Sequence, residues 1–323
     1  MKKILITGGC GFIGSNLTNF FLKKKVKVVV LDKYNFQNSY GWLETSRNNK
    51  NLKVELGDVR DFDFVNNVIK NVDSVIHLAA LIGIPYSYVS PLAYIQTNLV
   101  GTYNILESCK INKIKNTIIT STSEVYGSSQ YEPMDENHPT FSQSPYAASK
   151  NAADELAKSY YNSFDLPVKI IRPFNTFGPR QSARAVIPNI IFQLTDKRIK
   201  NVKLGNLSPK RDYTYVDDLC EAYYKIYNLK KFGDVYNVGT EENISIGDLY
   251  KVICKIMKIK KKIKVENKRK RKSSSEVSSL RSNFNKLNKS TGWKPTTNLI
   301  NGLKKTIIWI KNNQNIYKDI YNI

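Results

Sequence analysis

The sequence predicts an α/β protein with a doubly wound parallel sheet and a smaller C-terminal lobe. Apolar, β-rich runs alternate with amphipathic segments between Lys3 and Val238, a pattern typical of helices packed on both faces of a parallel sheet. A glycine-rich turn joins the first of these runs to the first amphipathic segment. The length of 323 residues accommodates one large domain with an appended lobe.

The first strand is predicted at residues 3–7, and the helix that follows the glycine-rich turn runs to about Lys24. Gly8 permits the tight turn, Gly11 lets the backbone approach a pyrophosphate, and Gly14 lets the helix pack closely on the strand. The helix N-terminus would then face the phosphates. This is a Rossmann-type dinucleotide site, and its cofactor-binding residues are predicted to be Gly8, Gly11, Phe12, Ile13 and Gly14.

The second predicted strand, residues 26–31, ends in Asp32. An acidic residue at this distance from the glycine-rich turn accepts hydrogen bonds from the adenosine ribose and repels a 2′-phosphate. The sequence therefore favours NAD over NADP, with the adjacent Lys33 as a contrary indication.

The third and fourth predicted strands, residues 52–55 and 74–80, contain or precede further cofactor candidates. Asp58 would reach the adenine amino group, and small residues would let the cofactor lie close to the backbone. His77 is interpreted as a structural histidine, and residues 91–111 as a long helix. The candidates in this part of the chain are Asp58, Val59, Leu78, Ala79 and Ala80.

The catalytic candidates begin where the fifth predicted strand, residues 117–120, ends. Thr122, Ser123 and Glu124 follow this strand, and a polar loop separates them from Tyr146 and Lys150. A tyrosine and a lysine four residues apart share one face of a helix. The ammonium is expected to lower the phenol pKa, so that Tyr146 can take a proton from a sugar hydroxyl. The pair alone is common by chance, and the Thr-Ser-Glu cluster is what favours catalysis.

Glycine and proline density after the sixth predicted strand, residues 167–172, marks the start of a second lobe. A helix is predicted from Arg211, and a last core strand at 234–238. Arg180 and Arg184 are either diphosphate contacts or solvated arginines, with even weight on each reading. The predicted domains are residues 1–173 with 211–238 for the dinucleotide, and 174–210 with 239–323 for the substrate.

Composition limits the classes of partner. The net charge of +23 suggests an anionic partner, but the lysines are spread along the chain, so they are interpreted as solvated faces. A scaffold that binds nucleic acid through the basic residues 258–275 is the alternative from another class. No apolar run reaches the about 18–20 residues of a membrane span. Four scattered cysteines indicate free thiols in the cytoplasm, and two histidines are too few for a metal centre.

Six motifs resemble the extended short-chain dehydrogenase/reductase family of NAD-dependent nucleotide-sugar epimerases, dehydratases and decarboxylases. They are Thr7–Gly14, Gly57–Asp61, His77–Ala80, Tyr146-x-x-x-Lys150, Arg172–Asn175 and Arg211–Tyr213. The resemblance covers essentially the whole chain. Residues 81–88, 178–188 and 275–277 look closest to the N-acetylglucosamine nucleotide 4,6-dehydratases of legionaminic acid synthesis. GDP- and UDP-linked substrates both occur there, and GDP is slightly favoured.

The resemblance implies a reaction at three carbons of the sugar. Tyr146, held by Lys150, removes the C4 hydroxyl proton as NAD⁺ takes the hydride, and Thr122 bonds the C4 oxygen. Glu124 removes the C5 proton as the C6 hydroxyl leaves. Asn98 and Pro173 are assigned to the cofactor by the same resemblance. Its substrate-binding assignments are Thr122, Asn175, Arg184, Val186, Arg211, Arg271 and Glu276.

One position departs from the family pattern. Many hexose 4,6-dehydratases carry an aspartic acid where this chain has Ser123, so either Ser123 relays a proton or Glu124 acts at both C5 and C6. UDP-glucuronate decarboxylases have a sequence that resembles Thr-Ser-Glu at this position, so a decarboxylase is the alternative function. A 4-epimerase is less expected, because it has no use for a carboxylate beside C5. Helices 91–111 and 146–163 resemble those that pair in family homodimers, so a homodimer is expected.

Overall fold

The structure is a computed structural model that describes residues 2–317. Its strands are β1 (Lys3–Thr7), β2 (Lys27–Lys33), β3 (Leu52–Gly57), β4 (Ser74–His77), β5 (Thr117–Thr120), β6 (Val168–Pro173), β7 (Asn175–Phe177), β8 (Asn201–Leu204), β9 (Lys210–Arg211), β10 (Tyr213–Tyr215), β11 (Val235–Val238), β12 (Ile244–Ser245), β13 (Lys262–Val265) and β14 (Ser279–Leu280). Its α-helices are α1 (Phe12–Lys23), α2 (Phe62–Ile69), α3 (Ile84–Val89), α4 (Pro91–Tyr94), α5 (Gly101–Ile111), α6 (Pro145–Phe164), α7 (Val186–Thr195), α8 (Val216–Asn228), α9 (Ile246–Met257), α10 (Asn285–Thr291) and α11 (Leu299–Asn312).

The central element is a parallel sheet of seven strands within residues 2–317, in the order β3-β2-β1-β4-β5-β6-β11. The order reverses between β1 and β4, and ligands of such sheets bind outside the carboxyl ends of the strands at this point. The predicted doubly wound fold is confirmed. The division into two domains stays a prediction.

Alternating residues of β1 show why the sheet is covered on both faces. Ile4 and Ile6 belong to one buried cluster, whereas Leu5 belongs to another. Successive side chains of a strand point to opposite faces, so each cluster is the interface between the sheet and one helical layer. Both layers are apolar, which accounts for the continuous apolar runs in the sequence.

Local signals place the helices that carry the site. Asp61 caps α2 by accepting a hydrogen bond from the Phe64 backbone N–H at 3.0 Å, as its position predicts. Ser144 caps α6 in the same way, with Pro145 in the first turn. The predicted helix 91–111 consists of α4, a π-helical segment (Ile95–Val100) and α5. None of the helices in the described part of the chain is long and apolar enough to cross a membrane.

The remaining strands form small sheets at the carboxyl edge of the main sheet: β10 with β7, β12-β9-β14, and β13 with β8. The helix predicted from Arg211 is wrong at its start, because α8 begins at Val216. Tyr213–Tyr215 is buried and pairs with Asn175–Phe177 instead, an environment that suits aromatic and β-branched residues in a strand. The basic segment 258–275 contributes β13 to the lobe.

Candidate active site

The glycine-rich turn lies against the backbone that follows β4. Gly8 has φ +69°, and a Cβ there would stand 2.9 Å from the Ala79 nitrogen. A Cβ on Gly14 would stand 2.1 Å from the Gly8 carbonyl oxygen. Both positions therefore exclude a side chain, one because of its conformation and contacts and the other because of helix packing. Leu78 and Ala79 stand directly beside the turn, and Ala80 follows them in the chain.

The N-terminus of α1 suits an anionic group. Its cap is Gly11, no side chain caps the helix, and the first turn has no acidic residue. A Cβ on Gly11 would meet only the Gly8 carbonyl oxygen, at 3.4 Å. The space beside the helix N-terminus is thus left open, and the helix dipole favours a phosphate there. These residues, with Phe12 and Ile13 in the first turn, fit a dinucleotide pyrophosphate.

Two carboxylates stand at neighbouring strand ends. Asp32, in β2, accepts a hydrogen bond from the Cys10 backbone N–H at 2.6 Å, which brings its carboxylate over the glycine-rich turn. Asp58, just after β3, is held by Arg60, and this hydrogen bond keeps the pKa of Asp58 below its ordinary value. Both positions fit ribose and adenine recognition. Val59 is buried beside Gly101 of α5.

Asn98 is buried, and its side chain bonds to the protein. Its Oδ1 accepts from the Leu81 backbone N–H at 2.8 Å, and its Nδ2 donates to the Leu81 carbonyl and to Ser149 Oγ at 3.0 Å each. Ser149 Oγ donates in turn to the Tyr146 carbonyl. The amide therefore ties the loop after β4 to the catalytic helix, a role that sequence reasoning missed.

The predicted catalytic residues come together at the carboxyl end of β5. Thr122 caps a short 3₁₀ turn, Ser123–Tyr126, which carries Glu124. Tyr146 and Lys150 face this turn from α6, and Thr122 is close enough to the Tyr146 phenol to favour its ionised form. The Lys150 ammonium donates to the Thr120 carbonyl at 2.6 Å. Two potential bases, a phenol and a carboxylate, thus stand on opposing elements of one site.

The expected lowering of the Tyr146 pKa is wrong for the chain alone. Burial raises the pKa of Tyr146 strongly, the Thr122 hydrogen bond opposes the rise, and the charge of Glu124 adds to it. Burial also lowers the pKa of Lys150 to about 8. The cause is desolvation, which disfavours both the phenolate and the ammonium.

The predicted substrate residues of the C-terminal lobe form a chain of charges that ends at Glu124. Arg211 Nη2 lies 3.4 Å from Glu276 Oε1. Arg271 Nη1 lies 3.9 Å from that oxygen and 3.4 Å from Glu124 Oε2. The segment is fastened by Ser275, which donates to the Gln143 carbonyl at 2.5 Å. The basic segment 258–275 therefore places one arginine beside Glu124.

The cofactor candidate Pro173 and the other substrate candidates lie at the end of β6 and in the chain that follows it. Pro173 ends β6, and Asn175 begins β7 with an Oδ1 that has no hydrogen-bond partner in the described chain. Arg184 is exposed in the loop before α7, which begins at Val186. Its charge opposes the burial that raises the pKa of Tyr94 to about 12. The Tyr94 ring in turn packs edge-on against Tyr146, at 6.2 Å between centroids.

His77 is a structural histidine, as its sequence context predicts. Its Nδ1 lies 2.7 Å from Thr7 Oγ1 and its Nε2 lies 3.2 Å from Thr102 Oγ1. Burial lowers its pKa to about 3, so the ring is neutral. No group of three His, Cys, Asp or Glu residues within 2–317 is arranged to hold a metal ion.

Comparison with known proteins places this geometry in a family. The GDP-mannose 4,6 dehydratase family matches residues 5–306. A dTDP-D-glucose 4,6-dehydratase of Dictyostelium discoideum is 33% identical over 99% of this chain and 84% of its own length. The human dTDP-D-glucose 4,6-dehydratase is 31% identical, over 99% of this chain and 93% of its own.

Solved structures match the fold of this chain over nearly its whole length. DesIV, a dTDP-glucose 4,6-dehydratase from Streptomyces venezuelae solved with NAD and TYD bound, has a TM-score of 0.88 at 25% identity, covering 98% of this chain and 99% of its own. Pal from Bacillus thuringiensis has a TM-score of 0.87 at 32% identity, covering 96% and 99%. With a family match over nearly its whole length and a site built from the matching strand ends, the chain belongs to the GDP-mannose 4,6-dehydratase family.

Proposed function

We propose that the chain is an NAD-dependent nucleotide-sugar 4,6-dehydratase that converts an NDP-N-acetylglucosamine to its 4-keto-6-deoxy derivative. GDP is slightly favoured over UDP as the nucleotide, and the product would serve legionaminic acid-type surface glycan synthesis. One observation carries the proposal: the Glu124 carboxylate stands in the same site as Tyr146 and Thr122. A 4-epimerase would need only the tyrosine.

NAD is the cofactor of this enzyme. DesIV, the Bacillus anthracis dTDP-glucose 4,6-dehydratase and MoeE5 are all solved with NAD, and the glycine-rich turn of this chain has the open helix N-terminus that a pyrophosphate needs. When bound, the cofactor would accept the hydride from C4 as NAD⁺ and return it at C6 as NADH.

The protein side chains divide the proton transfers between them. Tyr146 takes the C4 hydroxyl proton, and Thr122 donates a hydrogen bond to the C4 oxygen as charge develops there. The C4 ketone acidifies the C5 proton, which Glu124 removes. Glu124 is also the nearest acid for the leaving C6 hydroxyl, because a serine occupies the preceding position. Lys150 keeps a positive charge near the phenol.

A decarboxylase acting on UDP-glucuronate is the second candidate, and Arg271 favours it. Its guanidinium reaches Glu124, so it could also pair with a carboxylate at C6 of a sugar. Ser123 is compatible with that reaction, which needs no acid for a leaving hydroxyl. MoeE5, with a TM-score of 0.85 and 25% identity, is solved in complex with UDP-glucuronic acid.

The product mass from a panel of substrates tests the proposal. We expect GDP-N-acetylglucosamine or UDP-N-acetylglucosamine to lose water, with solvent deuterium entering at C5. Loss of CO₂ from UDP-glucuronate would establish the decarboxylase instead. Faster water loss from dTDP-glucose or UDP-glucose would retain the dehydratase but overturn the N-acetylglucosamine assignment.

The chain is also expected to form a homodimer. Apolar side chains on α3 to α5 are exposed, and an exposed apolar face of this extent favours association. They include Val89, Leu92, Ile95 and Tyr103. We place the enzyme in the cytoplasm, because all four cysteines are free thiols. Binding of nucleic acid by segment 258–275 is not proposed, since this segment pairs as β13 and contributes to the site.

A further inference from the structure

A buried ion pair lies directly behind the catalytic residues. Asp154 stands one helical turn after Lys150 on α6 and is completely buried. Its Oδ2 accepts from Ser121 Oγ at 2.7 Å and from Arg172 Nε at 2.9 Å. One carboxylate therefore joins the catalytic helix, strand β6 and the loop that begins at the end of β5.

Stability alone does not account for this pair. Burying two charges costs desolvation energy that the mutual attraction repays only when the remaining polar atoms are satisfied. Here Asp154 Oδ1 and Arg172 Nη2 have no hydrogen-bond partner within residues 2–317. The Arg172 guanidinium instead lies 4.8 Å from the centre of the Tyr126 ring, at the end of the turn that carries Glu124.

We propose that Asp154 is a positioning residue for the proposed reaction: its buried carboxylate fastens the loop of Thr122 and Glu124 to α6 and places a negative charge one helical turn from Lys150. The inference rests on the proposed function for the role of Tyr146 and Lys150. The spacing of Tyr146, Lys150 and Asp154 at four-residue intervals puts all three on one helix face, a signal present in the sequence.

The charges around Lys150 decide in which direction the pKa values of Tyr146 and Lys150 move when Asp154 is replaced. Asp154 is the nearby group that raises the pKa of Lys150 against burial, and it also raises the pKa of Tyr146. The other ionisable groups packed here are Glu124, Tyr94, Arg172 and a neutral His77. Removing the Asp154 charge should therefore lower the pKa of the phenol and of the ammonium together.

The test is the pH profile of sugar oxidation at C4 by Asp154→Asn. The amide keeps the shape of the side chain and can still accept the hydrogen bond from Ser121. We expect the whole profile to move by about one pH unit to lower pH, because a negative charge near the ammonium is lost. Because the pKa of the phenol falls as well as that of the ammonium, the rate should rise on the acid limb of the profile and fall on the alkaline limb. NAD affinity, measured by protein fluorescence, should stay within about threefold.

Two further variants separate charge from shape. Ser121→Ala breaks the hydrogen bond but keeps the carboxylate, so its profile should keep the wild-type position on the pH axis. If Asp154→Asn does not fold because Arg172 is left without its partner, the double variant Asp154→Asn/Arg172→Gln removes both charges. Its profile should still move to lower pH, but by less than one unit, because the loss of the Arg172 charge partly offsets the loss of the carboxylate.

Failure of this inference differs from failure of the proposed function. Oxidation at C4 is common to dehydratases, decarboxylases and epimerases of the family type, so the profile is measured with whichever sugar the wild type oxidises. A folded Asp154→Asn or double variant whose profile coincides with the wild type overturns the role of Asp154. An unexpected product from the wild type overturns only the dehydratase.

Discussion

At the residue scale, the two bases of the site differ in what surrounds them. Tyr146 is buried beside Thr122 and Tyr94, whereas the Glu124 carboxylate is paired with the long side chain of Arg271. For the proposed reaction, we therefore expect the phenol to act from a fixed position and the carboxylate to exchange Arg271 for the sugar.

The substitution Glu124→Gln should separate the two halves of that reaction. Oxidation at C4 should persist, while loss of water falls about a hundredfold or more, because general base catalysis is typically worth that much. NADH should therefore accumulate on the protein, where its fluorescence reports it, and mass spectrometry should show a 4-keto sugar that has lost two hydrogens but no water.

The matched control for this substitution is Glu155→Gln, which removes an exposed carboxylate of α6 that pairs with Lys158. It should leave the rate of water loss unchanged. Water loss by Glu124→Gln at the wild-type rate would show that another group removes the C5 proton.

Sequence reasoning reached this site only in part. The spacing of Tyr146 and Lys150 is local, so the sequence displays it. The contact between Arg271 and Glu124 spans 147 residues of chain and depends on how the C-terminal lobe folds back over the sheet. Nothing local in a run of lysines and arginines marks the one that turns inward. The pKa of Tyr146 could not be predicted either, because it depends on burial rather than on spacing.

At the element scale, the turn between β1 and α1 depends on contact between backbones. The substitution Gly14→Ala would place a Cβ 2.1 Å from the Gly8 carbonyl oxygen, so α1 must move away from the turn. We expect NAD affinity to fall at least about tenfold, since that corresponds to only about 1.4 kcal/mol of binding energy. Calorimetric titration of NAD measures this change.

Gly247→Ala is the control, because a Cβ there would be 3.6 Å from the Leu207 carbonyl oxygen, in ordinary contact far from the turn. Its NAD affinity should equal that of the wild type. Unchanged affinity in Gly14→Ala would mean that the cofactor does not use the helix N-terminus.

The C-terminal end of helix α8 depends on a buried lysine. Lys169 of β6 donates to the carbonyls of Ile226 at 2.8 Å and Leu229 at 2.9 Å, where α8 ends. Lys169→Met leaves these carbonyls without that donor, so it should lower the free energy of unfolding by about 1–3 kcal/mol. Urea denaturation of both proteins measures the difference.

The same lysine predicts a pH dependence. Burial lowers the pKa of Lys169 to about 7, below the about 10.4 of an unfolded lysine. Between these values the unfolded chain binds a proton that the folded chain does not, so the contribution of Lys169 to stability rises with pH. The gap between wild type and Lys169→Met should be wider at pH 9 than at pH 7. Lys255→Met, at an exposed position of α9, should show no such trend.

At the scale of the whole molecule, the parallel sheet was predictable because its core strands are short apolar runs separated by helical segments. The small sheets of the C-terminal lobe were not. Residues 211–218 suggest a helix start in the sequence, whereas only the last three of them belong to α8. The strand Tyr213–Tyr215 exists because β7 lies beside it, and that pairing joins segments distant in sequence.

The exposed apolar face of α4 and the following π-helical segment is the remaining whole-molecule feature, and it predicts dimerisation. Leu92 is 61% exposed, Ile95 45% and Tyr103 45%, and their spacing along the helical path puts them on one side. A second copy would remove this surface from water. The substitution Ile95→Glu should therefore convert the dimer to a monomer in light scattering.

Ile308→Glu is the matched control, because Ile308 is 62% exposed on α11, outside this face. It introduces the same charge and should leave the dimer intact. If Ile308→Glu dissociates the dimer and Ile95→Glu does not, the interface lies on α11. A wild type that is monomeric at working concentration would contradict the dimer itself.

Since α6 carries Tyr146 and packs on the helices of this face, a monomeric Ile95→Glu that keeps full activity would show that each site is complete within one chain.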